Sequence, residues 1–151
     1  MRSRTKANRP RRGRVLPNDA CPACGTTMRR QASGAFLSIN GEKISVPEFL
    51  HLQCPKCGEA VLSLAEARAL QRRAIERYRA KYGLLSADEI RAIRNRHNLT
   101  QGELARLLRL GGNTISRWEA GRNVQSAAMD VLLRLIRDLP GSLEYLREHA
   151  A

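Results

Sequence analysis

All four cysteines of the chain fall in two copies of one pattern, Cys21-Pro22-Ala23-Cys24-Gly25 and Cys54-Pro55-Lys56-Cys57-Gly58. A tight CxxC turn places two sulfurs on the same side of the chain. The glycine after it tolerates the positive φ that lets the turn close around an ion. Two such turns supply four thiolates, the donor set of a tetrahedral Zn²⁺. Disulfides would need an oxidising compartment, to which nothing in the sequence points. A redox CxxC works singly, at the start of a helix in a βαβ unit, and neither copy has that setting. The spacing therefore predicts one structural Zn²⁺ on Cys21, Cys24, Cys54 and Cys57, with iron in the same cage left open. Four protein thiolates leave no coordination position for a substrate, so catalysis at the metal is not expected. His51, three residues before Cys54, is read as a strand or surface residue, because the cage is already full.

A second constellation lies in residues 99–122, LTQGELARLLRLGGNTISRWEAGR. Leu104, Leu107 and Leu108 recur at helical spacing, and after a Gly-containing turn Ile115 and Trp118 do the same. Two short helices sharing one core, with the second free to enter a DNA groove, are what a helix-turn-helix requires. On the second helix Asn113, Ser116 and Arg117 fall at i, i+3 and i+4, opposite Ile115 and Trp118. An Asn amide can pair with adenine and an Arg guanidinium with guanine through the major-groove edge. Gln101, in the first turn of the first helix, is placed to grip a phosphate together with free backbone N–H groups. Thr114 and Arg122 are also placed for phosphate.

These residues need elements to position them. Between the knuckles lie two alternating segments, 35–39 and 43–46, separated by Asn40-Gly41, a strong hairpin signal. Pro47 is expected to end or bulge the second strand, and residues 49–53 lead extended into the second knuckle. A hairpin between two knuckles is the layout of a zinc ribbon, and its roughly 40 residues are too few to fold on burial alone. Ser63 and Glu66 form a capping box for a helix running to Gly83. Its charges are interspersed with Leu64, Ala67, Leu70, Ala74, Ile75 and Tyr78. It reads as a solvated helix packed lightly on the ribbon, with a hinge at residues 81–85. Capping boxes recur at Ser86 with Glu89 and Thr100 with Glu103, and Ser126 caps the apolar helix AAMDVLLRLIRDL, ended by Pro140-Gly141. A last short helix spans residues 142–149.

The fold class expected is a small zinc-ribbon β domain followed by an all-α, five-helix domain that contains the helix-turn-helix. Its divisions are a basic tail at 1–18, the ribbon at 19–62, a connecting helix at 63–83, and a DNA-binding and dimerisation domain at 84–151. The outer apolar residues Leu139, Leu143 and Leu146 are candidates for a surface shared with a second copy, since such proteins usually read two half-sites as a two-fold dimer.

Composition agrees with this reading. The chain of 151 residues carries 27 Lys and Arg against 14 Asp and Glu, a formal charge of +13, which favours a polyanion as partner. Aromatic residues make up 4%, too few to stack a run of single-stranded bases. No apolar run could cross a bilayer, and no apolar stretch follows the basic N-terminus to make a secretory signal, so a cytoplasmic protein is expected. Arg2, Arg4, Lys6, Arg9, Arg11, Arg12 and Arg14 precede any acid. They suggest a tail disordered when free, serving either as a solubilising end or as an arm along phosphates or in a minor groove.

Residues 99–122 resemble the Cro/repressor-like helix-turn-helix family. From Cys21 onward the two knuckles, the helix after CPKCGEAVLS, then LTQGELARLL, GGNTISRWEAG and LLRLIRDLPGSLEYL are similar to the MqsA-type antitoxins of bacterial toxin–antitoxin pairs. That resemblance implies a ribbon that binds a toxin, commonly a small ribonuclease. It implies a C-terminal half that forms a homodimer and binds a palindromic operator in double-stranded DNA, repressing its own operon. It assigns base reading to Asn113 and Arg117, and zinc to the four cysteines. The arginine-rich tail and a short hairpin depart from the pattern. One alternative is a stand-alone transcription regulator with a structural zinc ribbon and no toxin. Another is a metal-dependent enzyme acting on nucleic acid. Glu42 and Glu48 are the only acids between the knuckles and make no evident catalytic pair, so no enzyme is expected.

Overall fold

The structure, a computed structural model, describes residues 19–149; the expected basic arm at residues 1–18 lies outside them. Strands β1 (Arg29–Ile39), β2 (Glu42–Gln53) and β3 (Ala60–Val61) form one antiparallel sheet in the order β1-β2-β3. Six helices follow: α1 (Leu64–Tyr82), α2 (Ala87–Arg96), α3 (Gln101–Leu107), α4 (Thr114–Glu119), α5 (Ala127–Asp138) and α6 (Ser142–His149). Six is the connecting helix plus the five expected after it.

The β1–β2 turn is Asn40-Gly41, both residues at positive φ, 49° and 83°, the geometry that matches the twist of a two-residue hairpin. The hairpin itself is not short. Its strands hold 11 and 12 residues, because β1 begins at Arg29 in a polar stretch that has no apolar alternation to reveal it. Pro47 does not end β2. Ser33 pairs with Phe49 and Ala35 with Val46, so Pro47 and Glu48 together oppose the single Gly34 in a bulge. The extra residue shifts the two-residue phase by one. The buried set runs Ile44, Val46, Phe49, His51, so one face stays inward along the whole strand. His51 is therefore interior, with Nδ1 2.7 Å from the Phe49 carbonyl and Nε2 3.5 Å from Ser33 Oγ.

Helix α1 is not a lightly packed spacer. Leu70, Ala74 and Ile75 are buried against Ile39, Ile44, Val46 and Phe49 of the sheet, with Val124 of the helical half inserted into the same cluster. Ser63 and Glu66 form the capping box, and Gly83 closes the helix in a left-handed conformation. The segment expected to hinge is pinned at its end. Leu85 is fully buried; its N–H donates to Asp130 Oδ1 at 2.7 Å and its carbonyl accepts from Gln125 Nε2 at 2.7 Å.

The helical half closes around Ile90, Ile93, Leu104, Leu108, Ile115, Trp118, Leu133, Ile136 and Leu143. The capping boxes at Ser86 with Glu89 and at Thr100 with Glu103 are both formed, and Ser126 Oγ accepts from the Met129 N–H. Leu143, expected on an outer surface, lies in this core at 3% exposure, and Leu146 packs half-buried beside it. The apolar residues left outside are Val131, Leu135, Leu139 and Tyr145. The first three recur every four residues, on one stripe of α5 continued past its end.

Candidate functional site

The two CxxC turns are built alike. The Gly25 N–H donates to the Cys21 carbonyl at 2.8 Å, and the Gly58 N–H donates to the Cys54 carbonyl at 3.0 Å. Both glycines stand at positive φ, 75° and 76°, where a side chain would strain the turn. The hairpin brings the turns together. Cys21 Sγ lies 3.5 Å from Cys57 Sγ and Cys24 Sγ lies 3.5 Å from Cys54 Sγ, and all four sulfurs lie within 4.8 Å of one another. A tetrahedron with Zn–S bonds of about 2.3 Å has edges of about 3.8 Å, so the cluster fits one such ion. Cys21 and Cys54 are buried, and Cys24 and Cys57 are exposed. The Thr26 hydroxyl and backbone beside Cys24 pull its thiol down to about 6. Cys57 is drawn down by the Glu59 backbone but pushed up more by the neighbouring thiols of Cys21 and Cys54, to about 12. Thiols this close cannot all ionise without a cation among them. Among the described residues this is the one cluster of three or more potential ligands. His51 is not in it. Its ring is committed inside the sheet, three residues upstream.

At the other end of the molecule α3 and α4 are joined by a turn, with Ile115 and Trp118 inward. Asn113 precedes α4 without a side-chain capping bond, and both it and Arg117 are exposed. Among the described residues the Arg117 guanidinium has no hydrogen-bond or ion-pair partner. Thr114 and Ser116 are half-buried, and Ser116 Oγ donates to the Asn113 carbonyl at 2.9 Å. Arg122 is exposed just past α4. Gln101 is held more tightly than a free phosphate grip, since its Nε2 donates to Glu119 Oε2 at 2.8 Å.

Glu119 is the residue at this end that the sequence did not single out. Its side chain is 2% exposed and takes Arg94 Nε at 2.6 Å, with Arg94 Nη2 at 3.0 Å. Burial pushes its carboxyl up, but the bonds from Arg94 and Gln101 outweigh this and hold it below its ordinary value. The available signal was one acid beside the buried Trp118, in a stretch otherwise basic or neutral. Arg79 was missed in the same way. It sits four residues after Ile75, on the apolar stripe of α1, and it is 1% exposed.

The class comes first: the chain is similar to the antitoxins of bacterial toxin–antitoxin systems. The family model described as the antitoxin component of such systems, MqsA, matches residues 19–147, and the chain belongs to that family. A relative, antitoxin HigA-2 of Vibrio cholerae serotype O1, is 38% identical over 64 residues, 42% of this chain. The chain spans 62% of that relative's length. Among the described residues no helix is long and apolar enough to cross a membrane.

Proposed function

We propose that this antitoxin binds double-stranded DNA through a helix-turn-helix formed by α3 and α4, represses its own operon, and neutralises a toxin, a ribonuclease by family resemblance, through a zinc-ribbon half. The observation that carries the DNA reading is the exposed pair Asn113 and Arg117, on the face of α4 opposite Ile115 and Trp118. Asn113 has no capping bond and the Arg117 guanidinium no partner among the described residues, so both can meet base edges without first breaking an internal contact. Ser116 shares their face, and Thr114 and Arg122 flank it for phosphate contacts. Gln101, fixed by Glu119, presents its remaining amide hydrogen at the start of α3.

Zn²⁺ on Cys21, Cys24, Cys54 and Cys57 would serve as a cross-link between the knuckles. Residues 19–62 then form the ribbon, 63–83 the connecting helix and 84–151 the DNA-binding half, with 1–18 as an arm for phosphates. The stripe of Val131, Leu135 and Leu139 with Tyr145 suits a two-fold interface, as a palindromic operator requires. The protein acts in the cytoplasm and is not an enzyme.

Titration of the full chain into the duplex immediately upstream of its own gene, against a scrambled duplex, tests the DNA reading. The cognate duplex is expected to bind more tightly, and the Asn113→Ala/Arg117→Ala double variant to lose that discrimination. Equal discrimination by the double variant would refute it. Co-purification with the product of the adjacent gene tests the toxin reading; its absence would leave a stand-alone regulator.

A further inference from the structure

The base-reading face does not use Arg79, yet this arginine of α1 is almost completely buried. Its Nη1 donates to Glu76 Oε1 at 2.9 Å, its Nε to Gln125 Oε1 at 3.2 Å, and its Nη2 to the carbonyls of Trp118 at 3.0 Å and Asn123 at 3.4 Å. Trp118 is in the last turn of α4, and Asn123 lies in the loop behind it. The same loop is gripped elsewhere along α1. Gln71 Nε2 donates to the Arg122 carbonyl at 3.0 Å. Gly121, at φ 62°, approaches so closely that a Cβ there would meet Arg72 Cγ at 3.2 Å. Val124 is buried in the cluster that α1 makes with the sheet. Gln125 passes the chain of bonds on to the Leu85 carbonyl at 2.7 Å and Asp130 Oδ1 at 3.1 Å. The exit of α4 is thus held by the connecting helix as well as by its own half.

We infer that Arg79 is a positioning residue that locks α4 to α1 and, through α1, to the metal-bearing sheet, so that the angle at which α4 is presented to a duplex is transmitted from the whole frame. A planar guanidinium with four acceptors around it has one orientation in which all are satisfied, and any swivel of the two halves strips buried carbonyls of their donor. The DNA arm of this inference rests on the proposed DNA reading; the lock itself does not.

Residual dipolar couplings of the full, zinc-loaded chain test the lock. One alignment tensor is expected to fit β1, β2, α1 and α2–α6 together in the wild type. Two tensors are expected in Arg79→Met, with the amide dispersion and melting of each half retained, which a loss of packing alone would not give. Should Arg79→Met fail to fold, Arg79→Lys keeps the charge but lacks the fork, and two tensors are again expected. One tensor in the folded variant, or two in the wild type, would overturn the lock. In the second arm, Arg79→Met is expected to weaken binding to the upstream duplex several-fold. Unchanged affinity alongside two tensors would overturn the transmission to DNA. A wild type that binds no duplex would sink the DNA reading, while the alignment data still decide the role of Arg79.

Discussion

The two ends of this molecule are held together by different forces. At the knuckle end the buried set is Cys21, Met28 and Cys54, with only Leu52 and Val61 packed against it. At the other end Leu85, Ile90, Ile93, Leu104, Ile115, Trp118, Leu133 and Ile136 form a continuous apolar core. The first has too little apolar surface to close by burial alone, and its four sulfurs are placed where an ion would close it. The second folds by burial, and that is what allows it to carry an exposed polar face on α4, a helix of 6 residues that would not form alone. Each end presents a few polar groups on a frame made rigid by other means. The connecting helix joins the two frames, since α1 buries Ile75 in one interface and Arg79 in the other.

Removing the metal should separate the ends most sharply. Apparent binding energies of structural zinc sites run to about 10–16 kcal/mol. Chelation or Cys54→Ser is therefore expected to disorder residues 19–28 and 54–62 while the amide spectrum of α2–α6 keeps its dispersion. Collapse of both ends together would break the comparison. The converse substitution is Leu133→Ala, at a residue with no exposure. It should lower the stability of the helical half by about 2–5 kcal/mol in denaturant titration without releasing the metal.

Acid should also act on the helical half through its buried carboxylates. Glu119 and Asp130 are both pushed up by burial and pulled down further by their partners: Arg94 and Gln101 for Glu119; Arg134, the Leu85 N–H and Gln125 for Asp130. A carboxyl held below its unfolded value adds stability that is complete above the ordinary value of 4.5 for Glu or 3.8 for Asp and is lost as the pH falls below it. The melting temperature of α2–α6 is expected to be flat above that range and to drop beneath it, with a shallower drop in Glu119→Gln. An equal slope in the variant would remove Glu119 from the account.

Substitutions on the polar face should leave both cores untouched. Arg117→Ala is expected to weaken binding to the upstream duplex by about 1–3 kcal/mol and relax one base preference, with no change in melting. Deleting residues 2–14 should have the smallest effect on the comparison. It is expected to weaken all duplexes alike and reduce the slope of affinity against salt, leaving stability as it was; an unchanged slope would mean the tail makes no phosphate contacts.

Much of the candidate site was legible in the residue order. The paired CPxCG turns specify their own geometry within five residues, and the hairpin between them needs only Asn40-Gly41 to bring the sulfurs together. The helix boundaries followed from Ser63, Ser86, Thr100 and Ser126, because a cap is a contact over three residues. The long β1 was not legible, since residues 29–34 show no apolar alternation and are held in place by pairing with 49–53. Leu143 looked like an outer residue because helical periodicity gives a face and not what covers it.

The sequence by itself determined the four-thiolate cage, the start and stop of each helix, and the face on which Asn113 and Arg117 stand, because all of these depend on neighbours a few residues apart. Only the tertiary structure decided that His51 turns inward, that Glu119 is sealed under Arg94, and that Arg79 joins α1 to the exit of α4. Those positions depend on a bulge opposite Gly34 and on partners 25 or more residues away, and a charged side chain becomes interior only where such distant groups help replace the hydrogen bonds it gives up to water.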